Sequence, residues 1–150
     1  MGDTIIKTNF LYHKNGDKIS TIRYKNNKIH GIKEDYYLGN RLKSITPYED
    51  GKKNGVKRGY YTDGTIQYEI QYKNNKLDGE AKYYYKLSDI KLPKQGSIFP
   101  PSLGVRVSTP YKNGKKHGIE TYYSISGKIQ AEITYKYGKK IEEQLFENKE

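Results

Sequence analysis

At 150 residues the chain is bounded to one domain, and a hydrophobic share of 33% with a net charge of +11 leaves little apolar area for a globular core. It has no cysteine, so a disulfide framework and a thiolate metal site are excluded. No apolar run is long enough to span a membrane as a helix, and the N-terminal MGDTIIKTNF lacks the features of a signal peptide, so a cytoplasmic location is expected.

What argues for a folded chain is the placement of its 17 tyrosines. Tyr24, Tyr48 and Tyr72 recur every 24 residues, and after a gap of 39 Tyr111 and Tyr135 resume the spacing. Each opens one phrase: YKNNKIHG, YEDGKKNG, YKNNKLDG, YKNGKKHG and YKYGKKIE. A fixed period of this size means small supersecondary units stacked on one another. The expected units are 10–31, 32–55, 56–79, 80–118 and 119–146, in one repeat domain over 1–150.

In the first unit Leu11–Tyr12 stands where later copies have tyrosine pairs, and Tyr24 opens the first turn phrase. The second unit has Tyr36–Tyr37 and Tyr48. In the third, Tyr60–Tyr61 precedes Thr62-Asp63-Gly64, a strong hairpin signal. Ile66, Tyr68, Ile70 and Tyr72 then alternate with polar residues, which predicts a strand with one apolar face. The slot of Asn27, Gly51, Asn75, Gly114 and Gly138 accepts only Asn or Gly, so it predicts a left-handed turn position. The fourth unit has Tyr84–Tyr85, an insertion at 86–104 and Tyr111; the fifth has Tyr122–Tyr123 and Tyr135. Pro47 and Pro110 remove ladder donors and predict irregular pairing there. Tyr137 is read as lying outside the repeat slots. The expected fold is all-β: an elongated single antiparallel sheet of about five stacked β-hairpin repeats, with a long loop insertion in the fourth.

These phrases resemble the MORN repeat in its bacterial variant, Y-x-N-G-K-x-x-G followed by Y-Y-x-x-G, over about residues 10 to 146, and are similar to the YwqK-like antitoxin type. The resemblance implies this same sheet, no shared catalytic residues, and roles as protein-binding scaffolds, membrane-associated modules or antitoxin and immunity proteins. No nucleophile–base set, Walker loop or dinucleotide fingerprint is present, so no enzymatic activity and no cofactor are expected. Glu34–Asp35, Glu49–Asp50 and Glu142–Glu143 are adjacent in strands and point to opposite faces, which separates the members of each pair. His30 and His117 share a slot with Asn54 and Asp78, which reads as a turn position and not as a metal ligand.

Two features break or exploit the period. The first is a stripe of turn lysines: Lys25, Lys28, Lys52, Lys53, Lys73, Lys76, Lys112, Lys115, Lys116, Lys136, Lys139 and Lys140. Stacking places them along one edge, where they meet an anionic lipid or an acidic protein, or else protect the sheet against pairing with other chains. With only four arginines among 28 basic residues, and tyrosines occupied as packing rungs, nucleic acid is the lesser candidate. The second is the insertion, whose Leu92, Ile98, Phe99 and Leu103 serve as a partner-binding loop, a lid over the sheet, or a disordered linker. Together these features lead to a non-catalytic, macromolecule-binding repeat protein. The resemblance alone implies the preferred partner, a protein such as a cognate toxin, and the alternative is an anionic membrane met through the lysine stripe.

Overall fold

The computed structural model describes residues 5–86, 88 and 104–146. Among the described residues fourteen strands form one antiparallel sheet. They begin with β1 (Ile6–Tyr12), β2 (Lys18–Lys25), β3 (Lys28–Ile29), β4 (Gly31–Tyr36) and β5 (Leu42–Glu49). The centre holds β6 (Lys52–Lys53), β7 (Gly55–Tyr60), β8 (Ile66–Lys73) and β9 (Lys76–Tyr84). The array closes with β10 (Val105–Lys112), β11 (Lys115–Lys116), β12 (Gly118–Tyr123), β13 (Ile129–Lys136) and β14 (Lys139–Leu145). The main path is β1-β2-β4-β5-β7-β8-β9-β10-β12-β13-β14, while β3, β6 and β11 pair with β2, β5 and β10. The all-β, stacked-hairpin expectation is met.

Two kinds of turn alternate. On one edge of the sheet, two-residue turns hold both central residues at positive φ: Asn26 and Asn27 (48° and 61°), Asp50 and Gly51 (46° and 82°), Asn74 and Asn75 (50° and 70°). Asn113 and Gly114 (52° and 83°) and Tyr137 and Gly138 (50° and 86°) complete the set. This is the type I′ geometry, whose twist matches that of the flanking strands. Tyr137 therefore lies inside a repeat slot, at a position Asn or Asp fills elsewhere, which corrects its reading as an outsider. A bulky side chain in the left-handed region is strained.

On the opposite edge, five-residue loops are closed by one recurring bond. The N–H groups of His13, Tyr37, Tyr61 and Ser124 donate to the carbonyls of Asp17, Arg41, Thr65 and Lys128 at 2.7–2.8 Å. Tyr85 N–H donates to Gly104 C=O at 2.8 Å, so the insertion has the neck of an ordinary hairpin. This register corrects two sequence alignments by one residue. Tyr12 and His13 stand in the pair slots of the first unit, and Tyr123 and Ser124 in those of the last.

A kink separates β3 from β4, β6 from β7 and β11 from β12, at His30, Asn54 and His117. After it, Gly31, Gly55 and Gly118 take φ of 84°, 108° and 113°. A Cβ at Gly55 would sit 3.1 Å from Pro47 Cγ, and one at Gly118 would sit 2.9 Å from Pro110 Cγ, so glycine is needed on both counts. The kink opens the ladder beside Pro47 and Pro110, whose carbonyls accept Asn54 N–H and His117 N–H at 3.1 and 3.0 Å. The irregularity expected from the prolines is present, and it lies on the partner strand; the prolines themselves stay in β5 and β10.

One sheet face carries the ladder tyrosines with Ile22, Thr46, Ile70, Thr109 and Ile133. All five ladder tyrosines are half-buried. Apart from Glu120, the most buried side chains are small: Ser20, Thr21, Ser44, Thr46, Ala81, Val105, Ser108, Thr109 and Thr121. Tyr68 departs from this pattern where other units have Ser20, Ser44 and Ala131. It fits because Gly59 is opposite: a Cβ there would fall 2.2 Å from the ring.

Neighbouring units are also tied through side chains. Tyr37 Oη donates to Tyr60 C=O, Tyr61 Oη to Tyr84 C=O, and Tyr85 Oη to Tyr123 C=O, at 2.9, 2.8 and 2.9 Å. Removing one such hydroxyl, as in Tyr61→Phe, is expected to destabilise by about 1 kcal/mol in denaturant titration. In the same assay Tyr72→Ala should cost about 2 kcal/mol, because half of a large aromatic surface returns to water. Tyr137→Asn should instead stabilise by about 1 kcal/mol by relieving the left-handed strain. A loss at Tyr137→Asn would contradict the turn assignment.

Candidate functional site

The turn edge is built by bonds between successive turns. Gly51 N–H donates to Ile29 C=O (2.8 Å), Asn75 N–H to Lys53 C=O (3.0 Å), Gly114 N–H to Leu77 C=O (2.7 Å) and Gly138 N–H to Lys116 C=O (2.8 Å). The slot shared by His30, Asn54, Asp78 and His117 explains itself here. His30 Nδ1 accepts Asp50 N–H at 3.3 Å, Asp78 Oδ2 accepts Asn113 N–H at 3.0 Å, and His117 Nδ1 accepts Tyr137 N–H at 3.4 Å. At these three positions the slot supplies an acceptor aimed at the next turn, whereas Asn54 donates its side-chain amide to Glu49. No cluster of three or more His, Cys, Asp or Glu is placed to hold a metal among the described residues.

Stacking brings the lysine stripe together, with two exceptions and one interruption. Lys25, Lys28, Lys52, Lys73, Lys76, Lys112, Lys115, Lys136 and Lys139 are exposed. Lys53 and Lys116 turn inward, their ammonium groups 5.2 and 4.6 Å from the ring centres of Tyr72 and Tyr135. Lys140 is exposed and paired with Glu143. Glu49 and Asp50 break the stripe at the second turn; residues 73–76, 112–115 and 136–139 of the last three turns carry no acid, and Asp78 sets its carboxylate against the Asn113 N–H between them. Of the proposed loop anchors, Leu92, Ile98, Phe99 and Leu103 lie outside the described residues.

The face opposite the tyrosines carries a network not foreseen from the sequence. Arg58 Nε donates to Glu69 Oε1 at 2.7 Å, and Tyr84 Oη to Glu69 Oε2 at 2.8 Å. Glu80 pairs with Lys82 at 2.8 Å and accepts the Ser108 hydroxyl at 2.5 Å. These groups line a shallow depression of roughly 200 Å³ with Val56 and Gln71. On the tyrosine face, Asp35 binds Ser20, Ser44 and Lys33 at 3.0, 3.2 and 2.8 Å. Glu120, only 3% exposed, takes Lys116 on both oxygens (2.6 and 2.8 Å) and the Thr109 hydroxyl at 2.8 Å. In the preceding copies the same two slots hold Ile29 and Lys33, Lys53 and Lys57, and Leu77 and Ala81, so the Lys–Glu pair is particular to this copy.

Residues 53–74 and 116–137 each match the family model described as MORN repeat variant. These two units are MORN-variant repeats. The stretches lie 63 residues apart, the sum of one ordinary and one insertion-bearing period, so both take the same window of the unit, from the inward lysine to the next turn. The match reaches the MORN-variant repeat and not the finer YwqK-like type. No curated protein matches the chain significantly. No helix among the described residues is long and apolar enough to cross a membrane.

The electrostatics set a pH window. Burial pushes the Glu120 and Glu80 carboxyls up, but their lysine and hydroxyl partners outweigh it and hold both low. Arg58 does the same for Glu69, against a smaller effect of burial. A depressed carboxylate stabilises the fold above its ordinary value of 4.5 and ceases to do so as pH falls through the lowered value. Burial raises the phenols of Tyr68, Tyr72, Tyr84 and Tyr111, so their contribution is complete below the ordinary 10.0 and is lost above it. The melting temperature is therefore expected to be level from about pH 5 to pH 9 and to fall on both sides. The alkaline fall should coincide with the rise of tyrosinate absorbance.

Truncating Glu120→Ala should cost about 2 kcal/mol, because the Thr109 hydroxyl and Lys116 ammonium lose their buried acceptor. The double variant Lys116→Leu/Glu120→Ala, which copies Leu77 and Ala81, should return to within about 1 kcal/mol of the parent in thermal unfolding.

Proposed function

We propose that this MORN-variant array is a non-catalytic scaffold that binds a macromolecule, most specifically a protein partner such as a cognate toxin that it neutralises by covering. The observation that carries the scaffold reading is the neck of the insertion. Tyr85 and Gly104 make the bond that closes every ordinary loop, so the fourth hairpin is complete without residues 86–103. A segment that the fold does not need, containing Ile98, Phe99 and Leu103, fits the role of an apolar anchor in a partner. The antitoxin form of the proposal draws its support from the resemblance of the repeats. Internal pairing of Asp35, Glu69, Glu80 and Glu120 also favours binding over chemistry, because each carboxylate is already engaged.

Replacing 86–103 with a three-residue connection, to match Thr62-Asp63-Gly64, should leave the melting temperature within a few degrees. Capture of the native partner, measured by affinity purification from the source cells, should be lost. A deletion that unfolds the chain would assign the segment to the sheet as a lid, and one that leaves capture intact would move the binding surface to the repeats.

The exposed lysines of the last three turns favour a second reading, a scaffold held at an anionic membrane. Here Lys73, Lys76, Lys112 and Lys115 are the side chains to remove, since Lys53 and Lys116 face inward. Changing the four to Gln should abolish flotation with phosphatidylserine vesicles at low salt and leave the fold unchanged. A parent protein that ignores such vesicles would end this reading.

A further inference from the structure

We infer that the outer edge of β1 is a pairing site for a second copy of this chain, joined antiparallel about a two-fold axis at Thr8. This goes beyond the proposed function and uses a different surface. Ile5 C=O accepts Asn26 N–H at 2.9 Å, and Ile5 N–H donates to Asn26 Oδ1 at 3.0 Å. Ile5 thus directs its backbone groups toward the first turn beside β2, and by strand alternation so do Lys7, Asn9 and Leu11. Ile6, Thr8 and Phe10 direct theirs outward, where no strand lies among the described residues. Those three N–H and three C=O groups continue the ladder that runs through the whole sheet.

The side chains match a two-fold pairing. Centring on Thr8 sets Thr8 against Thr8, Ile6 against Phe10 of the second copy, and Lys7 against Asn9. Threonine pairs and aromatic–β-branched pairs are favourable across strands, and no like charges are opposed. Ile6 and Phe10, 77% and 50% exposed, project to the face that also carries Ile19 and Ile32, each 37% exposed. The dimer would join these patches from both copies into one apolar surface.

The alternatives fit less well. The eleven strands of the main path alternate in direction, so β1 and β14 run the same way. Stacking copies head to tail would force a parallel pair into an antiparallel sheet. The free edge of β14 carries Lys139, Lys140, Glu142 and Glu143 in seven residues, and charge of that density protects an edge. β1 carries only Lys7. A two-fold β1 pair closes on itself and leaves the charged β14 edges at both ends.

Sedimentation equilibrium of the full chain over a concentration series tests this. The expected result is a monomer–dimer equilibrium with no larger species. Thr8→Pro removes an outward N–H that meets no strand among the described residues, so it should keep the melting temperature and raise the dimer Kd by at least about tenfold. Phe10→Lys should do likewise by placing charge in the seam, and it decides the matter if the proline variant fails to fold. Ile141→Lys on β14 should leave the Kd unchanged. A monomer at every concentration, open-ended assembly, or a dimer that yields to Ile141→Lys and not to the β1 variants would overturn the inference.

Discussion

Neighbouring units of this sheet are bonded along the strands and at the stacked two-residue turns, and from the second unit on also at the opposite edge through a tyrosine hydroxyl. The turn bond is the one on which the rest depends. It forms only if both central residues adopt positive φ, because only then does the second N–H point back to the preceding turn, as Gly51 does to Ile29 and Gly138 to Lys116. That requirement fixes Asn or Gly in the slot, sets the period, and brings successive turns into register. Buried apolar area cannot replace it. Ala81 and Val105 are the hydrophobic residues that reach full burial among those described, and most other buried positions are serine or threonine. The protein is held chiefly by directional bonds repeated along a line, as expected of a quasi-one-dimensional array.

The same geometry decides where charge can act. Lysines beside the turn slots are carried to an exposed edge in register, whereas those one step further, Lys53 and Lys116, are returned over tyrosine rings. Carboxylates on the strands are met within the sheet by Arg58, Lys33, Lys82 or Lys116. The strand faces are thereby locally neutral, and the excess positive charge resides largely at the turn edge. A partner approaching from the turn side meets cations, and one approaching either face meets half-exposed tyrosine and isoleucine.

Much of this architecture was legible because the period constrains it twice, once through spacing and once through slot identity. Comparing Asn27, Gly51, Asn75, Gly114 and Gly138 suffices to find the left-handed turn. The kink was only half legible: Pro47 and Pro110 signal an open ladder, but the residue that opens it sits on the neighbouring strand, out of reach of local spacing. The tyrosine pair of the fifth unit was misaligned by one because the doubled Tyr122–Tyr123 mimics it. Only the loop-closing bond at Ser124 separates the two alignments. The charged networks escaped notice for a different reason. A lone Glu120 reads as a surface residue until it is compared with Ala81 in the same slot, and Lys116 with Leu77. Opposite charges four residues apart in slots that Leu77 and Ala81 leave neutral are the signal that was available.

Amide hydrogen exchange at the turns tests the central claim most directly. Gly51, Asn75, Gly114 and Gly138 are exposed, and amides in exposed hairpin turns ordinarily exchange with little protection. If the turn-to-turn bonds hold the array, these four amides should be protected to an extent comparable with the strand-centre amides of β8 and β10, and should exchange with them in one cooperative opening. Exchange at unprotected rates in the turns, beside protected strands, would show that the units are joined by the strand ladder alone and would contradict the account.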